Sequence, residues 1–214
     1  MSVEIRKLHK RLGARQVLAG VDLMIAPSEV VVILGQNGSG KSTLLRLIAG
    51  ILEPDYGQIV IAGSPVQGGG VAARQQIGYV PDTSDPLPDL LVAELCALVC
   101  SLKQAPAPGA GLMTQLGVTP YFHQRLGTLS FGQRKRACLL CALIGDPALL
   151  VLDEPSNGID PEGIAMILSV LAEHLQRGGS AIVSTNDAPF VAALAGRQLR
   201  LQDGVLIGVS GPAT

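Results

Sequence analysis

The sequence predicts an α/β fold built on a mostly parallel sheet, and three observations carry that expectation. Short apolar, strand-like runs at residues 30–34, 77–80, 149–152, 181–184 and 198–201 alternate with helical patterns, the order that buries a parallel sheet between helices. A glycine-rich loop, Gly35-Gln36-Asn37-Gly38-Ser39-Gly40-Lys41-Ser42, follows the first of these runs directly. The run 149–152 ends in two carboxylates, Asp153 and Glu154, at the strand end where such sheets bind ligands.

Taken from the start, residues 3–8, 17–25 and 58–61 have the β-branched character and turn punctuation of an antiparallel sheet, expected to flank the site. Val30 to Leu34 then reads as a buried strand, and Leu44, Leu47 and Ile48 recur at helical spacing until Gly50. The loop between them fits G-x-x-x-x-G-K-[ST] at every fixed position. In that pattern Gly35, Gly38 and Gly40, with Asn37 and Ser39, let successive backbone N–H groups curve around phosphates, and the helix points its positive end at the same anion. Lys41 is expected to reach the β and γ phosphates, Ser42 to offer its hydroxyl to Mg²⁺, and Thr43 to add a backbone donor. A bare glycine turn with an incidental lysine would lack the strand before it and the helix after it.

From residue 87 to 127 the strand signals vanish and helical patterns appear, interrupted by Ala105-Pro106-Ala107-Pro108-Gly109-Ala110-Gly111. An inserted helical subdomain over about 87–146, within one domain spanning 1–214, is the expectation. The triplet at 68–70 reads as a surface loop.

Composition narrows the function classes. The 214 residues suffice for one substantial core, and only one phosphate loop is present. A net charge of −1 and an isoelectric point near 6.3 argue against a broad basic surface, so no nucleic acid is expected as partner. The mean hydropathy of +0.40 arises from Ala, Val and Leu in short runs, none near the roughly 20 residues of a spanning helix. The longest candidate, 90–102, contains Glu94, and residues 1–12 turn polar from Glu4 onward, so a cytosolic chain without direct membrane insertion is expected. Cys96 with Cys100, and Cys138 with Cys141, are spaced to lie on one side of a helix each, where cysteine packs as a small hydrophobe; no metal is assigned to them.

The acidic pair has two readings. Asp153 is suited to complete a magnesium shell and Glu154 to polarise a water for in-line attack on a γ phosphate; alternatively the pair is an acidic turn capping a helix before Pro155. A further segment bears on the choice: Leu129-Ser130-Phe131-Gly132-Gln133 resembles the LSGGQ signature of ATP-binding cassette proteins. With residues 35–42, 129–133, 152–155 and 156–160 in this order, the resemblance covers essentially the whole chain. Physically, Ser130 can cap a helix beginning near Gly132, whose N-terminus then offers a second anion-binding surface, or the serine caps and does no more. Arg134, Lys135 and Arg136 oppose the helix dipole, so helix stability does not explain them; they raise the positive potential facing a phosphate or form a solvated face.

The resemblance implies a nucleotide-binding subunit with the cassette ATPase fold: a phosphate-loop core, a flanking antiparallel β subdomain and an inserted helical subdomain. It implies ATP and Mg²⁺ as ligands, and hydrolysis coupled to transport through separate membrane-spanning permease subunits, on the inner face of the cell membrane. In the family, Ser130, Gly132 and Gln133 of one protomer would contact ATP on the loop of a second, so two sites form in a head-to-tail dimer, a homodimer here. Asp160 would link those sites, although Asp160-Pro161 is also a good helix start. The compact form, ending soon after Gly204, is similar to the ATPases of small bacterial exporters. A soluble cassette ATPase of a non-transport assembly is the alternative from another class.

Three positions depart from the family pattern. Asn186 stands where a histidine usually contacts the γ phosphate; asparagine donates a hydrogen bond but cannot become a cation, which favours slow turnover or a nucleotide-driven switch. Asp82 stands where a glutamine commonly senses the metal, as a candidate Mg²⁺ ligand or an ordinary turn aspartate before Pro86. Leu12 aligns with the aromatic that usually stacks on adenine and has no π face to offer.

Overall fold

The computed structural model describes residues 3–68, 70–83 and 87–209. Gly69 of the 68–70 loop and Pro86 after the Asp82 turn lie outside them. Two sheets share the chain. The first is formed by β1 (Val3–Leu12), β2 (Arg15–Ile25), β4 (Tyr56–Ile61) and the short β5 (Ser64–Pro65), in the antiparallel order β2-β1-β4-β5. The second contains β3 (Val30–Leu34), β6 (Ile77–Val80), β7 (Leu149–Asp153), β8 (Ser180–Ser184), β9 (Arg197–Gln202) and β10 (Val205–Gly208). Its order is β10-β9-β3-β8-β7-β6, parallel throughout except for the β9–β10 hairpin at the edge.

Seven α-helices are described: α1 (Lys41–Ile48), α2 (Val71–Gln75), α3 (Val92–Lys103), α4 (Ala110–Gln115), α5 (Phe131–Leu143), α6 (Pro161–Gln176) and α7 (Ala188–Leu194). The β-branched, unbroken apolar sequence of the central strands suits a sheet covered on both faces. Every residue of β7 is buried, and alternate side chains serve different cores: Leu149 and Val151 join β3 and α1 on one face, Leu150 and Leu152 join α3, α5 and α6 on the other. The two covered faces leave the carboxyl ends of β3, β7 and β8 side by side, and these ends carry the site.

Element positions follow the sequence pattern with local differences. β1 runs on to Leu12 through register shifts, with Lys7 in the left-handed region (φ 46°). Between α3 and α5 the chain holds α4 and two single 3₁₀ turns, Thr119–Tyr121 and Leu126–Thr128. The helix carrying the LSGGQ-like segment starts at Phe131, one residue earlier than expected. Cys96 and Cys141 approach across α3 and α5 with sulfurs 3.7 Å apart, so the buried thiols meet between helices as well as along them.

Candidate functional site

The phosphate loop leaves β3 at Gly35. Gly38 (φ 77°) and Gly40 (φ 107°) take conformations that an L side chain resists, and a Cβ at Gly40 would stand 2.6 Å from Val17 Cγ1. Asn37 lies at the exposed tip of the loop, and Thr43 in the first turn of α1. Lys41, only 6% exposed, donates from its ammonium to the Gly35 carbonyl at 2.7 Å and stands 3.5 Å from Glu154 Oε1. Ser39 Oγ is buried with no hydrogen-bond partner, an orphaned donor inside the loop. Unsatisfied buried hydroxyls are uncommon, and a phosphate oxygen is the group this cradle would fit.

Across from the loop, Asp153 ends β7 at 1% exposure. Its Oδ1 accepts from Ser42 Oγ at 3.2 Å and from Ser184 Oγ, at the end of β8, at 2.6 Å. Ser42 and Asp153 thus present paired hard oxygen donors, the chemistry suited to Mg²⁺ with water completing its shell. Glu154 follows in the left-handed region (φ 45°), its N–H directed at Ser184 O (3.0 Å) and Ser184 Oγ (3.1 Å). Its carbonyl accepts from Lys135 Nζ at 2.6 Å.

The three unusual positions are placed as follows. Asn186 Oδ1 accepts from the Gly35 N–H at 3.3 Å, joining the segment after β8 to the phosphate loop. The Asp82 carboxylate accepts from Asn157 Nδ2 at 3.3 Å, which sets it against the turn after Glu154. Leu12 is half-exposed at the end of β1, outside the lining of the roughly 620 Å³ cleft that Arg15, Val17, Asn37, Ser39, Arg200 and Asp203 help to form. Within that cleft Arg15 donates to the Gly38 carbonyl at 2.8 Å.

The LSGGQ-like turn is a separate feature. Ser130 caps α5: its Oγ accepts from the Gln133 N–H (3.2 Å) while the Gln133 side chain accepts from the Ser130 N–H (2.9 Å). Gly132 faces Ile159, the nearest heavy atom to a Cβ placed there being 3.8 Å away. No hydrogen bond or ion pair among the described residues joins this turn to the phosphate loop. Asp160 caps α6 through the Gly163 N–H (2.9 Å) and also meets Arg136 at 3.4 Å. Arg134 donates to the Leu129 carbonyl at 2.7 Å, so the three cations after Gln133 bind protein groups and are no solvated face.

Sequence reasoning missed Ser184 and Arg15, and it singled out Lys135 only as one of three cations facing a phosphate or solvent, without its bond to Glu154. Ser184 becomes the meeting point of Asp153 and Glu154 only because β7 and β8 pair in parallel with Asp153 opposite Ser184, a register no local pattern shows. Lys135, 2% exposed, has its pKa lowered because burial disfavours the charged form more than the carboxylates of Asp82, Asp153 and Glu154 favour it.

A strand, glycine loop and helix facing two carboxylates at the carboxyl end of a parallel sheet define a phosphate-loop nucleotide-binding protein. Comparison with known proteins narrows the class. Residues 18–157 match the family model described as ABC transporter. A Nod factor export ATP-binding protein I of Burkholderia orbicola is 31% identical over 215 residues, covering 98% of this chain and 71% of that protein. A putative ABC transporter ATP-binding protein of Streptomyces coelicolor is 36% identical over 222 residues, 99% of this chain but 38% of that longer protein. The solved ATP-binding subunit of an ABC transporter superposes with a TM-score of 0.89 at 25% identity, over 96% of this chain and 88% of that one. A dimeric bacterial ABC transporter cassette shares the fold with a TM-score of 0.84 at 24% identity, over 98% and 99%. The chain belongs to the ABC transporter family, as an ATP-binding subunit and ATPase.

Proposed function

We propose that this subunit binds Mg·ATP on Gly35–Thr43, closes a head-to-tail homodimer around it, and drives export through separate membrane-spanning permeases from the inner face of the cell membrane. The observation that carries the reading is the convergence of Lys41 and Ser42, after β3, with Asp153 and Glu154, at the end of β7. Ser42 and Asp153 would hold Mg²⁺, which supplies charge neutralisation for the phosphates. Lys41, now resting on the Gly35 carbonyl, would be drawn to the phosphates, freeing Glu154 from its ion pair. Glu154 then accepts the proton of the attacking water. Asn186 holds the Gly35 N–H and orients the loop. Asp82, held by Asn157, is the further candidate oxygen ligand for Mg²⁺ beside Ser42 and Asp153. Leu12 would offer the base apolar contact alone.

Ser130, Gly132 and Gln133 have no bond to their own phosphate loop, which supports their facing the nucleotide of a second copy, with Asp160 beside them. The segment 87–146 serves as the helical subdomain that meets the permease. Export is favoured by the Nod factor export relatives. No helix of the described residues is long and apolar enough to cross a membrane, in keeping with a peripheral subunit.

Phosphate release with Mg·ATP, measured at several protein concentrations, tests the reading. Turnover that rises more than linearly with concentration and is lost in Glu154→Gln supports it; equal turnover in wild type and Glu154→Gln overturns it. Asn186 favours one second reading, a slow nucleotide-driven switch: dimerisation on ATP with negligible turnover, restored by Asn186→His, would establish that instead.

A further inference from the structure

Lys135 is a charged side chain that the proposed chemistry does not use, yet it is nearly sealed from solvent. It lies one turn into α5, two residues after the capping Gln133. Its ammonium reaches the Glu154 carbonyl at 2.6 Å and sits 5.3 Å from the centre of the Phe131 ring. Phe131 occupies the place of the first glycine in LSGGQ, and it is packed in turn on the backbone of the segment after Glu154: a Cβ on Gly158 would stand 2.9 Å from its ring. Burying an ammonium is costly unless the groups around it repay it through hydrogen bonds and opposite charge. Here one hydrogen bond, one aromatic face and three nearby carboxylates offset part of that cost.

What the lysine holds is a strained residue. A non-glycine residue at φ 45° persists only when its surroundings fix it from both sides. Ser184 takes the Glu154 N–H, and Lys135 takes the carbonyl. From this arrangement we infer that Lys135 is a positioning residue for the Glu154 carboxylate, clamping its backbone so that the side chain stays aimed at the reacting water, and that Phe131 and Gly158 keep the clamp in place. The inference rests on the reading of Glu154 given above. Lys135 thereby fastens the first turn of α5 to the hydrolytic turn of the same chain, and a displacement of one moves the other.

The test compares wild type, Lys135→Met, Lys135→Arg and Glu154→Gln as purified full-length proteins, by steady-state kinetics with Mg·ATP and by the Kd of a fluorescent ATP analogue. Methionine keeps the length and packing and removes the donor. The expected result is a kcat lower by roughly tenfold to a hundredfold in Lys135→Met, since a small misplacement of a reacting group costs that much. KM and Kd should stay within about twofold, because the phosphate loop is untouched, and Lys135→Arg should recover most of the rate by restoring a donor. An unchanged kcat in folded Lys135→Met overturns the inference while leaving Glu154 in its role. A loss of nucleotide affinity equal to the loss of kcat overturns it too, since it marks a general structural role. Should Lys135→Met be insoluble, Lys135→Arg decides: a kcat within about threefold of wild type supports the clamp, whereas a hundredfold loss at unchanged Kd refutes a role that any donor can fill. Equal turnover in Glu154→Gln and wild type sinks the reading of Glu154 itself, whatever the lysine variants do.

Discussion

The turn at Asp153–Glu154 and the turn at Ser130–Gln133 are built from similar polar residues and solve opposite problems. Around Glu154, side chains from three other segments converge: Ser42 and Ser184 on Asp153, Ser184 on the Glu154 N–H, Lys135 on its carbonyl. Around Ser130 the polar groups satisfy one another within four residues, and Phe131 stands 36% exposed among them. The first turn is fixed by the tertiary fold and holds a left-handed residue at a sheet end. The second is a local capping box that any helix could carry, and it presents its face outward. The two turns differ in where their hydrogen bonds go: the first draws on distant segments, the second closes on itself.

The largest expected effect breaks the first turn at its chemistry. Glu154→Gln keeps the shape and removes the proposed proton acceptor, so phosphate release should fall at least about a hundredfold while nucleotide affinity is retained. Next comes the loop facing that turn. Gly40→Ala forces a Cβ into Val17 at φ 107°, and the strain of roughly 1–2 kcal/mol should lower both the unfolding midpoint and the affinity for Mg·ATP, read by denaturant titration and by ligand binding. A smaller effect sharpens the contrast. Ser130→Ala removes a helix cap worth about 1 kcal/mol, shifting Tm by about 2–4 °C. Its Kd for ATP in the monomer should be unchanged, because this turn has no bond to the phosphate loop. A monomer Kd raised tenfold would erase the distinction between the two turns.

The smallest effect belongs to the scaffold and to neither turn. His174 on α6 is buried against the Ser180 carbonyl (3.1 Å), and burial lowers its pKa below the ordinary 6.5. The fold therefore holds it neutral while the unfolded chain takes up a proton, so its contribution is present above about pH 6.5 and is lost as pH falls. Denaturant midpoints at pH 7.5 and 5.5 should differ by less in His174→Gln than in wild type.

The legible part of this molecule is the part written in contiguous residues. The phosphate loop, β3 before it and α1 after it could be read because strand period, glycine pattern and helical spacing follow one another without interruption. The cap at Ser130 was legible for the same reason: both partners lie within four residues. Ser184 and Lys135 were not, since each acts on Glu154 from 30 and 19 residues away through a sheet register and a helix docking that no window contains. The three cations 134–136 show the limit plainly. From the sequence they face a phosphate or form a solvated face; tertiary packing sets all three against protein groups and buries Lys135. The β9–β10 hairpin was missed although Asp203-Gly204 carries the turn chemistry for it, both residues having positive φ (50° and 79°).

The core on the α5 face has a mechanical meaning. Val92 and Cys96 of α3, Leu139 and Leu140 of α5, Val80 and Leu152 of the sheet and Ile167 of α6 belong to one continuous apolar cluster. Through this cluster α3, α5 and α6 share one core with the sheet. The helical layer would melt in a single cooperative step with the rest of the chain, and under load it would behave as a lever arm, passing on a push at Glu154 as a tilt of the whole layer.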